Sequence, residues 1–244
     1  MSPCTKLILY LTATYPNVDT FLTMLETCSS VVDMFEIGVP TENPKYDGPT
    51  VRMTHREAQI RGVDALKVVK GRISKDFVVM AYFEDYLNNL DKFFETSSEI
   101  GAKSILFPDL LFDYYDMVNL YYRKCLDYGL KPCFFISSKF PYREVERLLK
   151  YEPYFIYLGL QACSGIRLPI FIERNVKIYK SIIDNNCPLI VGFAIRRPED
   201  VELLIKLNVD GIVIGSAFIK EFITCGLECG LKLLESLRKV IMGC

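Results

Sequence analysis

The sequence predicts a closed barrel of eight parallel strands, each followed by a helix, and three observations support this fold. Eight apolar, strand-like segments recur at a spacing of roughly thirty residues, and a helical pattern follows each of them. These segments are continuous runs of Val, Ile, Leu and Phe, which is typical of parallel strands buried on both faces. Half of the 244 residues are apolar, and no change in composition marks a second domain. We therefore predict a single (β/α)8 domain, a TIM barrel, over residues 1–244, with a doubly wound open sheet as the structural alternative.

The predicted strands are short runs rich in β-branched and aromatic residues, bounded by turn-forming residues. The first ends shortly before a turn at Tyr15-Pro16-Asn17, and the second ends just before Pro40. In chain order the predicted strands are Lys6–Thr12, Asp33–Val39, Phe77–Phe83, Ser104–Phe107, Cys133–Ser137, Tyr154–Leu158, Leu189–Ile195 and Gly211–Gly215.

The segments between these strands carry helical patterns. Three prolines, Pro40, Pro44 and Pro49, keep the loop after the second strand from becoming helical, so the next helix is expected to start near Thr50. Pro141 stands at the first position of a later helix, which suits a residue without an N–H. One extra short helix fits between the last strand and the final helix. The predicted helices are Asp19–Ser29, Thr50–Val69, Leu90–Ile100, Tyr115–Tyr128, Pro141–Lys150, Leu168–Asp184, Pro198–Leu207, Ser216–Thr224 and Leu227–Ile241.

Composition argues against two classes of function. The formal net charge is −1 and the pI is near 6.0, with Lys and Arg scattered along the chain, so no nucleic-acid partner is expected. No apolar run approaches the ~18–20 residues that span a bilayer, so no membrane segment is expected. The first residues go straight into a strand-like run without a signal-peptide pattern, so we expect a cytoplasmic location.

The cysteines are expected to be small buried hydrophobic residues. Their number, nine, is odd, and no Cys-x-x-Cys pair occurs. Cys225 and Cys229 lie four residues apart near a helix junction, which leaves a weak metal signal or a disulfide bond open for this pair. His55, the single histidine, has no partner at a metal-ligand spacing and is expected on a helix surface. No metal site is predicted.

Two carboxylates flank the loop that follows the second predicted strand. Glu36 lies inside an apolar strand, where a carboxyl is costly to bury unless it faces a wet or functional cavity. Asp47 lies near the end of the proline-rich loop. Both fall at the C-terminal ends of the strands, where barrel enzymes have their active sites. The alternative is a strand-end Glu capped by a neighbour and a solvated loop Asp.

Groups with small residues lie at or after the ends of the last three predicted strands. The three groups are Cys163-Ser164-Gly165, Gly192-Phe193-Ala194 and Gly215-Ser216. Gly215 and Ser216 also open the extra helix, so amide N–H groups and the helix dipole would face a bound anion. Three such turns in neighbouring loops predict a phosphorylated ligand.

The chain is distinctive in four segments around these residues. The segments are Tyr10–Pro16, Glu36–Pro40, Asp47–Pro49, and Gly192-Phe193 together with Gly215–Ala217. They resemble the tryptophan synthase alpha subunit family, and the likeness covers almost the whole chain from about Lys6. The resemblance implies the same barrel fold and a carbon–carbon lyase of tryptophan biosynthesis. Its reaction would be the retro-aldol cleavage of indole-3-glycerol phosphate to indole and glyceraldehyde 3-phosphate.

The resemblance also implies roles for individual residues. Glu36 matches the catalytic acid/base, and Asp47 matches the aspartate that contacts the indole N–H. One carboxyl with a raised pKa could protonate the indole carbon and deprotonate the neighbouring hydroxyl. A carboxylate beside the ring N–H would stabilise the positive charge that develops there. The residues that match the substrate pocket and the phosphate loops are Tyr82, Leu106, Tyr157, Ser164, Gly165, Phe193, Ala194, Gly215 and Ser216.

Partner and cofactor expectations follow from the same resemblance. It implies a beta subunit that carries pyridoxal phosphate and forms a heterotetramer with this chain, which itself takes no cofactor. The polar, proline-rich loop around Asp47 is expected to need support from that partner. Gln161 and Ala194 replace a frequent Arg and a frequent Gly of the family, which implies altered phosphate loops. The alternatives are another phosphate-binding barrel enzyme of the same pathway and a non-catalytic regulatory barrel subunit.

Overall fold

Eight parallel strands close into a barrel in which each strand pairs with its neighbours in sequence and β1 pairs with β8. The structure is a computed structural model that describes residues 5–159, 170–183, 186–192 and 195–243. The closed order confirms the predicted TIM barrel and excludes the open sheet. The strands are β1 (Lys6–Thr12), β2 (Met34–Gly38), β3 (Asp76–Met80), β4 (Ser104–Leu106), β5 (Lys131–Ser137), β6 (Phe155–Gly159), β7 (Leu189–Gly192) and β8 (Gly211–Ile214).

Helices cover the outside of the barrel. There are also two 3₁₀ turns: Phe83–Tyr86 follows β3, and Tyr115–Met117 lies between the two helices that follow β4. The α-helices among the described residues are α1 (Val18–Cys28), α2 (Pro49–Glu57), α3 (Val63–Lys67), α4 (Leu90–Glu99), α5 (Leu110–Asp113), α6 (Val118–Asp127), α7 (Tyr142–Leu149), α8 (Ile170–Ile183), α9 (Pro198–Lys206), α10 (Ser216–Cys225) and α11 (Leu227–Met242).

The strand register brings polar side chains to one end of the barrel interior. Tyr10 of β1 lies opposite Glu36 of β2, and Glu36 lies opposite Val78 of β3. Residues opposite each other in neighbouring strands share a face of the sheet, so Tyr10 and Glu36 point to the same side. Almost every strand residue is buried, as the continuous apolar runs predict.

The helix predicted over 50–69 is broken, which corrects the sequence prediction. α2 ends at Glu57 and α3 starts at Val63. Thr14, in the loop after β1, forms hydrogen bonds with Ile60 in the segment between the two helices. Its hydroxyl donates to the carbonyl of Ile60 and accepts from the Ile60 N–H, each over 3.0 Å. Gly62 then turns the chain with φ of +61°, a conformation that favours glycine.

Two expectations about side chains have different outcomes. His55 is 1% exposed rather than on a helix surface, because both of its ring nitrogens have partners inside the fold. The free cysteines among the described residues are buried as expected: Cys28, Cys125, Cys133 and Cys187. A disulfide bond joins Cys225 at the end of α10 to Cys229 in α11, which settles the alternative left open for that pair.

The described residues contain no group of three or more His, Cys, Asp or Glu side chains that could hold a metal ion. Nor does any helix in the described ranges have the length and apolar character required to cross a membrane.

Candidate active site

A cavity of about 310 Å³ opens at the C-terminal ends of the strands and contains both predicted catalytic carboxyls. Its walls come from β1, β2, β3, β6 and β8, from the loop after β2 and the start of α2, and from the residues after β7 and β8. The described residues that line it are Tyr10, Glu36, Asp47, Gly48, Pro49, Thr50, Val51, Met80, Tyr157, Ile195, Arg196, Val213, Gly215, Ser216 and Lys220.

Glu36 has the surroundings of a carboxylic acid rather than of a carboxylate. Its side chain is buried, and Oε1 has no hydrogen-bond partner among the described residues. Burial, reinforced by the nearby charge of Asp47, raises the pKa of Glu36 to about 8. Glu36 is therefore mostly protonated at neutral pH, and it holds a proton next to an open cavity.

Asp47 has groups around it that favour the ionised form. The hydroxyl of Tyr82 donates a hydrogen bond to Asp47 Oδ2 over 2.8 Å. Burial raises the pKa of Asp47 to about 7, while this hydrogen bond and the charge of Arg52 act in the opposite direction. Asp47 thus has a hydrogen-bond donor and a nearby positive charge that favour its ionised form, and it is the carboxyl of the cavity better suited to carry the negative charge.

Contacts within the chain hold the loop that carries Asp47, which the sequence analysis expected to need outside support. Arg52, in the first turns of α2, donates from Nε to the carbonyl of Asp47 over 2.7 Å and from Nη2 to that of Lys45 over 2.9 Å. The Tyr46 N–H donates to the Tyr82 hydroxyl over 3.0 Å. The loop therefore folds back over its own helix and over the residues after β3.

His55 lies behind the cavity as a neutral side chain. The Thr41 N–H donates to His55 Nδ1 over 3.1 Å, so the ring proton is assigned to Nε2. Nε2 lies 3.0 Å from the Tyr10 hydroxyl and 3.8 Å from Asp47 Oδ2. Burial, with a smaller contribution from Arg61, lowers the pKa of His55 to about 4. The histidine thus orients its neighbours without adding charge.

A directed chain of hydroxyl groups continues from His55. Thr54 donates to the carbonyl of Val51 over 2.7 Å, so its oxygen accepts from Thr12 over 2.6 Å. Thr12 in turn accepts from the Tyr10 hydroxyl, 3.1 Å away, which leaves the Tyr10 oxygen to accept from His55. This chain holds the Tyr10 ring at the cavity wall and joins β1 to α2.

Two glycines make room for the tyrosines of the cavity. A Cβ at Gly38 would collide with the Tyr10 hydroxyl, and one at Gly192 would collide with the Tyr157 hydroxyl. The absence of a side chain at these strand ends lets both phenols reach the centre of the barrel mouth. Burial, with smaller contributions from the charges of Glu36 and Asp47, raises the pKa of both tyrosines.

The side of the cavity opposite the carboxyl loop favours an anion. Gly215 precedes α10 without a side-chain cap, and the first turn of the helix has no acidic residue, so its N–H groups are available to a ligand. Arg196 and Lys220 line the same cavity, and neither forms an ion pair with a carboxylate of the described chain. The cavity therefore has carboxyls on the β2 side and positive charge on the β7–β8 side.

The structure brings part of the predicted site together. Glu36, Asp47, Tyr157, Gly215 and Ser216 line the cavity, and Tyr82 contacts Asp47 from behind. Leu106 is 1% exposed at the end of β4 and is not among the described residues that line the cavity. Four predicted residues lie outside the described ranges: Ser164, Gly165, Phe193 and Ala194.

Sequence reasoning missed four residues near the ligand space: Tyr10, His55, Arg196 and Lys220. Tyr10 carried a signal, since it lies two residues before the end of a predicted strand and shares a face with Thr12. Arg196 and Lys220 carried only a weaker signal: they follow the two strands at whose ends the sequence predicts an anion site.

Comparison with known proteins gives a consistent family. A family model for the tryptophan synthase alpha chain matches residues 3–231. The tryptophan synthase alpha chain of Sulfurisphaera tokodaii is 31% identical over 239 residues, which cover 96% of this chain and 97% of the relative. That of Saccharolobus solfataricus is 28% identical over 240 residues, which cover 96% of each chain.

Solved structures share the fold over almost the whole length. A mutant tryptophan synthase alpha subunit from the hyperthermophile Pyrococcus furiosus superposes with a TM-score of 0.87 and 25% identity, covering 97% of this chain and 99% of that one. A chain of the Pyrococcus furiosus tryptophan synthase a2b2 complex has a TM-score of 0.86 at 24% identity and covers 100% of both chains. With a family model that spans most of its length and a relative 31% identical over 96% of it, this chain belongs to the tryptophan synthase alpha chain family.

Proposed function

We propose that this chain cleaves indole-3-glycerol phosphate to indole and glyceraldehyde 3-phosphate, with Glu36 as the acid/base and Asp47 as the electrostatic partner of the indole ring. One observation carries the proposal. A single cavity holds a buried carboxyl that favours its protonated form, a second carboxyl with a hydrogen bond that favours its ionised form, and an uncapped helix start on the opposite side. Family membership supports the choice of substrate.

Glu36 would move one proton in each direction. In its acid form it donates a proton to the indole carbon that bears the glycerol chain, and the ring becomes cationic. The resulting carboxylate then removes the proton from the hydroxyl next to the bond that breaks. That C–C bond breaks as the new C=O forms, and its electron pair returns to the ring, which leaves as indole. Glu36 ends the cycle protonated, so the reaction consumes no net proton.

Asp47 would stabilise the cationic ring. Its carboxylate accepts a hydrogen bond from the ring N–H as positive charge spreads onto that nitrogen. The effect is large because Asp47 is buried and its carboxylate is already oriented by Tyr82. Tyr157 and Tyr10 supply flat walls for the ring, and Tyr82, two residues after β3, holds Asp47 beside it.

The phosphate would bind on the β7–β8 side. Gly215 and Ser216 offer N–H groups at the start of α10, and Arg196 and Lys220 offer charge. By family likeness the loops with Ser164, Gly165, Phe193 and Ala194 complete this subsite. The charges of Arg196 and Lys220 would compensate for any phosphate binding that is lost because Ala194 replaces the glycine frequent in the family.

The proposal extends to the assembly. We propose that residues 1–244 act as one barrel domain in the cytoplasm, without a cofactor of their own. The partner is a tryptophan synthase beta subunit that carries pyridoxal phosphate and receives the indole, in a heterotetramer. One of the solved structures that share this fold is a tryptophan synthase a2b2 complex described as mutually activating.

The deciding experiment is direct. Purified protein is incubated with indole-3-glycerol phosphate, and indole and glyceraldehyde 3-phosphate are quantified separately. Equal molar amounts of the two products support the proposal, whereas a different product from the same substrate would favour another enzyme of the pathway. No product, either alone or with the beta subunit, would favour a regulatory barrel.

A further inference from the structure

We propose that Lys45 is a positioning residue that holds the Asp47 loop closed within this chain. Its ammonium group lies among three carboxylates from the segments that follow β3 and β4. We call this group, Lys45, Glu84, Asp109 and Asp113, the Lys45 cluster. The inference rests on the proposed function for the catalytic role of Asp47 but not for the geometry of the loop.

The Lys45 cluster joins three consecutive loops at the barrel mouth. Lys45 Nζ lies 2.7 Å from Glu84 Oε2, 2.6 Å from Asp113 Oδ2 and 3.8 Å from Asp109 Oδ2. Asn43 adds a second contact from the same loop, since its Nδ2 donates to Glu84 Oε1 over 3.0 Å. The loop after β2 is thus fastened to both of its neighbours by residues close to Asp47.

One member of the cluster is a fully buried carboxylate, and this separates it from an ordinary surface ion pair. The Asp109 side chain is 0% exposed and accepts the N–H groups of Phe83 and Glu84, over 2.8 and 3.1 Å. Lys45 is 25% exposed. Exposed pairs contribute little because water screens them, but a cation that faces a buried carboxylate and two partly buried ones is screened less.

A direct path leads from the cluster to the carboxyl of Asp47. The Tyr46 hydroxyl donates to Asp113 Oδ1 over 3.0 Å, and the Tyr46 ring stacks on the Tyr82 ring with centroids 6.4 Å apart and planes 7° from parallel. The Tyr46 N–H donates to the Tyr82 hydroxyl, which donates to Asp47. A displacement of residues 45 and 46 therefore changes both the backbone and the hydrogen bond that place Asp47.

Loss of the ammonium group has a defined consequence. In Lys45→Met the loop after β2 loses its charge contacts with Glu84, Asp109 and Asp113, so the loop is free to move away from its two neighbours. A catalytic group misplaced by about an ångström can cost on the order of 10²-fold in rate. The phosphate subsite belongs to the opposite side of the cavity, so substrate affinity conferred there is not affected.

The test compares four proteins: wild type, Lys45→Met, Lys45→Arg and Lys67→Met. Lys67 is the matched control, because it pairs with Asp64 over 2.6 Å on the exposed surface of α3, away from the cavity. For indole formation we expect Lys45→Met to lower kcat about 10- to 100-fold with little change in KM or in inhibition by glycerol 3-phosphate. Lys45→Arg retains the charge and restores most of kcat, and Lys67→Met behaves as wild type.

Hydrogen exchange supplies the readout that is independent of activity. In Lys45→Met the amides of residues 41–48 exchange faster than in wild type, whereas those of the β7–β8 side do not. Wild-type exchange in that segment, or an equal rise across the whole barrel, would overturn the inference. If the wild-type protein makes no indole, the proposed function fails, and the exchange data still decide whether Lys45 holds the loop.

Discussion

The hydroxyl of Tyr82 donates to Oδ2 of Asp47 over 2.8 Å while it accepts the Tyr46 N–H over 3.0 Å. Because the backbone donor occupies the tyrosine oxygen, the single phenolic proton is directed at the carboxylate. A hydrogen bond of this kind stabilises the ionised form of Asp47 and opposes the effect of burial on its pKa. The same tyrosine thus sets both the position and the charge of the aspartate.

The first prediction is a bell-shaped pH profile for kcat/KM, which reports the pKa values of the free enzyme. Activity requires Asp47 ionised and Glu36 protonated, so kcat/KM rises with pH through about 7 and falls through about 8. His55, with a pKa lowered to about 4, stays neutral over this range. These are apparent values of two interacting carboxyls, and a steady-state profile from pH 5 to 10 measures them.

Tyr82→Phe tests the assignment of the acidic limb. The variant removes a hydrogen bond to a charged group, worth about 1.5–3 kcal/mol, so the acidic limb moves up by about one pH unit or more. Tyr128→Phe is the control, because Tyr128 donates over 2.9 Å to Asp91 on the exposed surface. An unmoved acidic limb in Tyr82→Phe would assign that limb to a group other than Asp47.

The second prediction is that Glu36→Gln folds but loses indole formation by about 10²–10⁴-fold, because an amide cannot transfer the protons. Asp47→Asn lowers kcat through the loss of charge and retains substrate binding. Circular dichroism measures whether each variant is folded, and indole release measures its activity. Turnover near the wild-type rate in Glu36→Gln would move the acid/base role to another residue.

Glu36 also makes stability depend on pH. Below about 4.5 the carboxyl is protonated in both the folded and unfolded chain, and between about 4.5 and about 8 it ionises only on unfolding. Wild-type stability therefore falls with rising pH in this window, by up to about 1.4 kcal/mol per pH unit for this group. Glu36→Gln lacks this loss, so the Tm of the variant minus that of wild type is larger at pH 8 than at pH 5. An equal difference in Tm at pH 5 and pH 8 would contradict a raised pKa for Glu36.

The strands were predictable because their signal is local. Parallel strands covered on both faces leave continuous apolar runs, and the eight predicted segments overlap the eight observed strands. Closure was not predictable in the same way, because it depends on the pairing of Lys6 with Gly211 from the two ends of the chain. The pattern of alternating strands and helices favoured a barrel, and the β1–β8 ladder demonstrates it.

The missed features of the site depend on contacts between distant segments. α2 ends early because Thr14 binds Ile60, and His55 is buried because Thr41 and Tyr10 satisfy its ring nitrogens. Neither set of partners is visible from helical periodicity. Glu36 could be recognised from sequence alone, since a carboxyl in an apolar strand is costly and rare without a function.

The third prediction concerns the anion subsite. Gly215→Asp places a carboxylate at the start of α10, so the KM for the phosphorylated substrate rises by at least about 10-fold, as repulsion replaces favourable helix-end electrostatics. Gly215→Ala is the size control, because a Cβ at this position lies 3.2 Å from Cβ of Tyr10 and requires a small adjustment. Inorganic phosphate competes with substrate in wild type. Equal effects of Ala and Asp would indicate crowding of Tyr10 rather than loss of an anion site.

The last prediction connects the Lys45 cluster with the proposed beta subunit. The isolated wild-type chain already holds the Asp47 loop through Lys45 and Arg52, so it should make indole without a partner. A beta subunit that packs on this loop would restrict the same displacement from outside. We therefore expect the added beta subunit to raise indole formation by Lys45→Met about 10-fold more than it raises that of wild type. The reason is that the partner can restore the rate that the variant lost when its Asp47 carboxylate was displaced. Titration of each protein with the cognate beta subunit, under saturating substrate, measures the two activation ratios, with Lys67→Met as the control. Equal ratios for wild type and Lys45→Met would mean that the partner acts elsewhere, and a larger ratio for wild type would mean that Lys45 is itself a contact with the partner rather than an internal support.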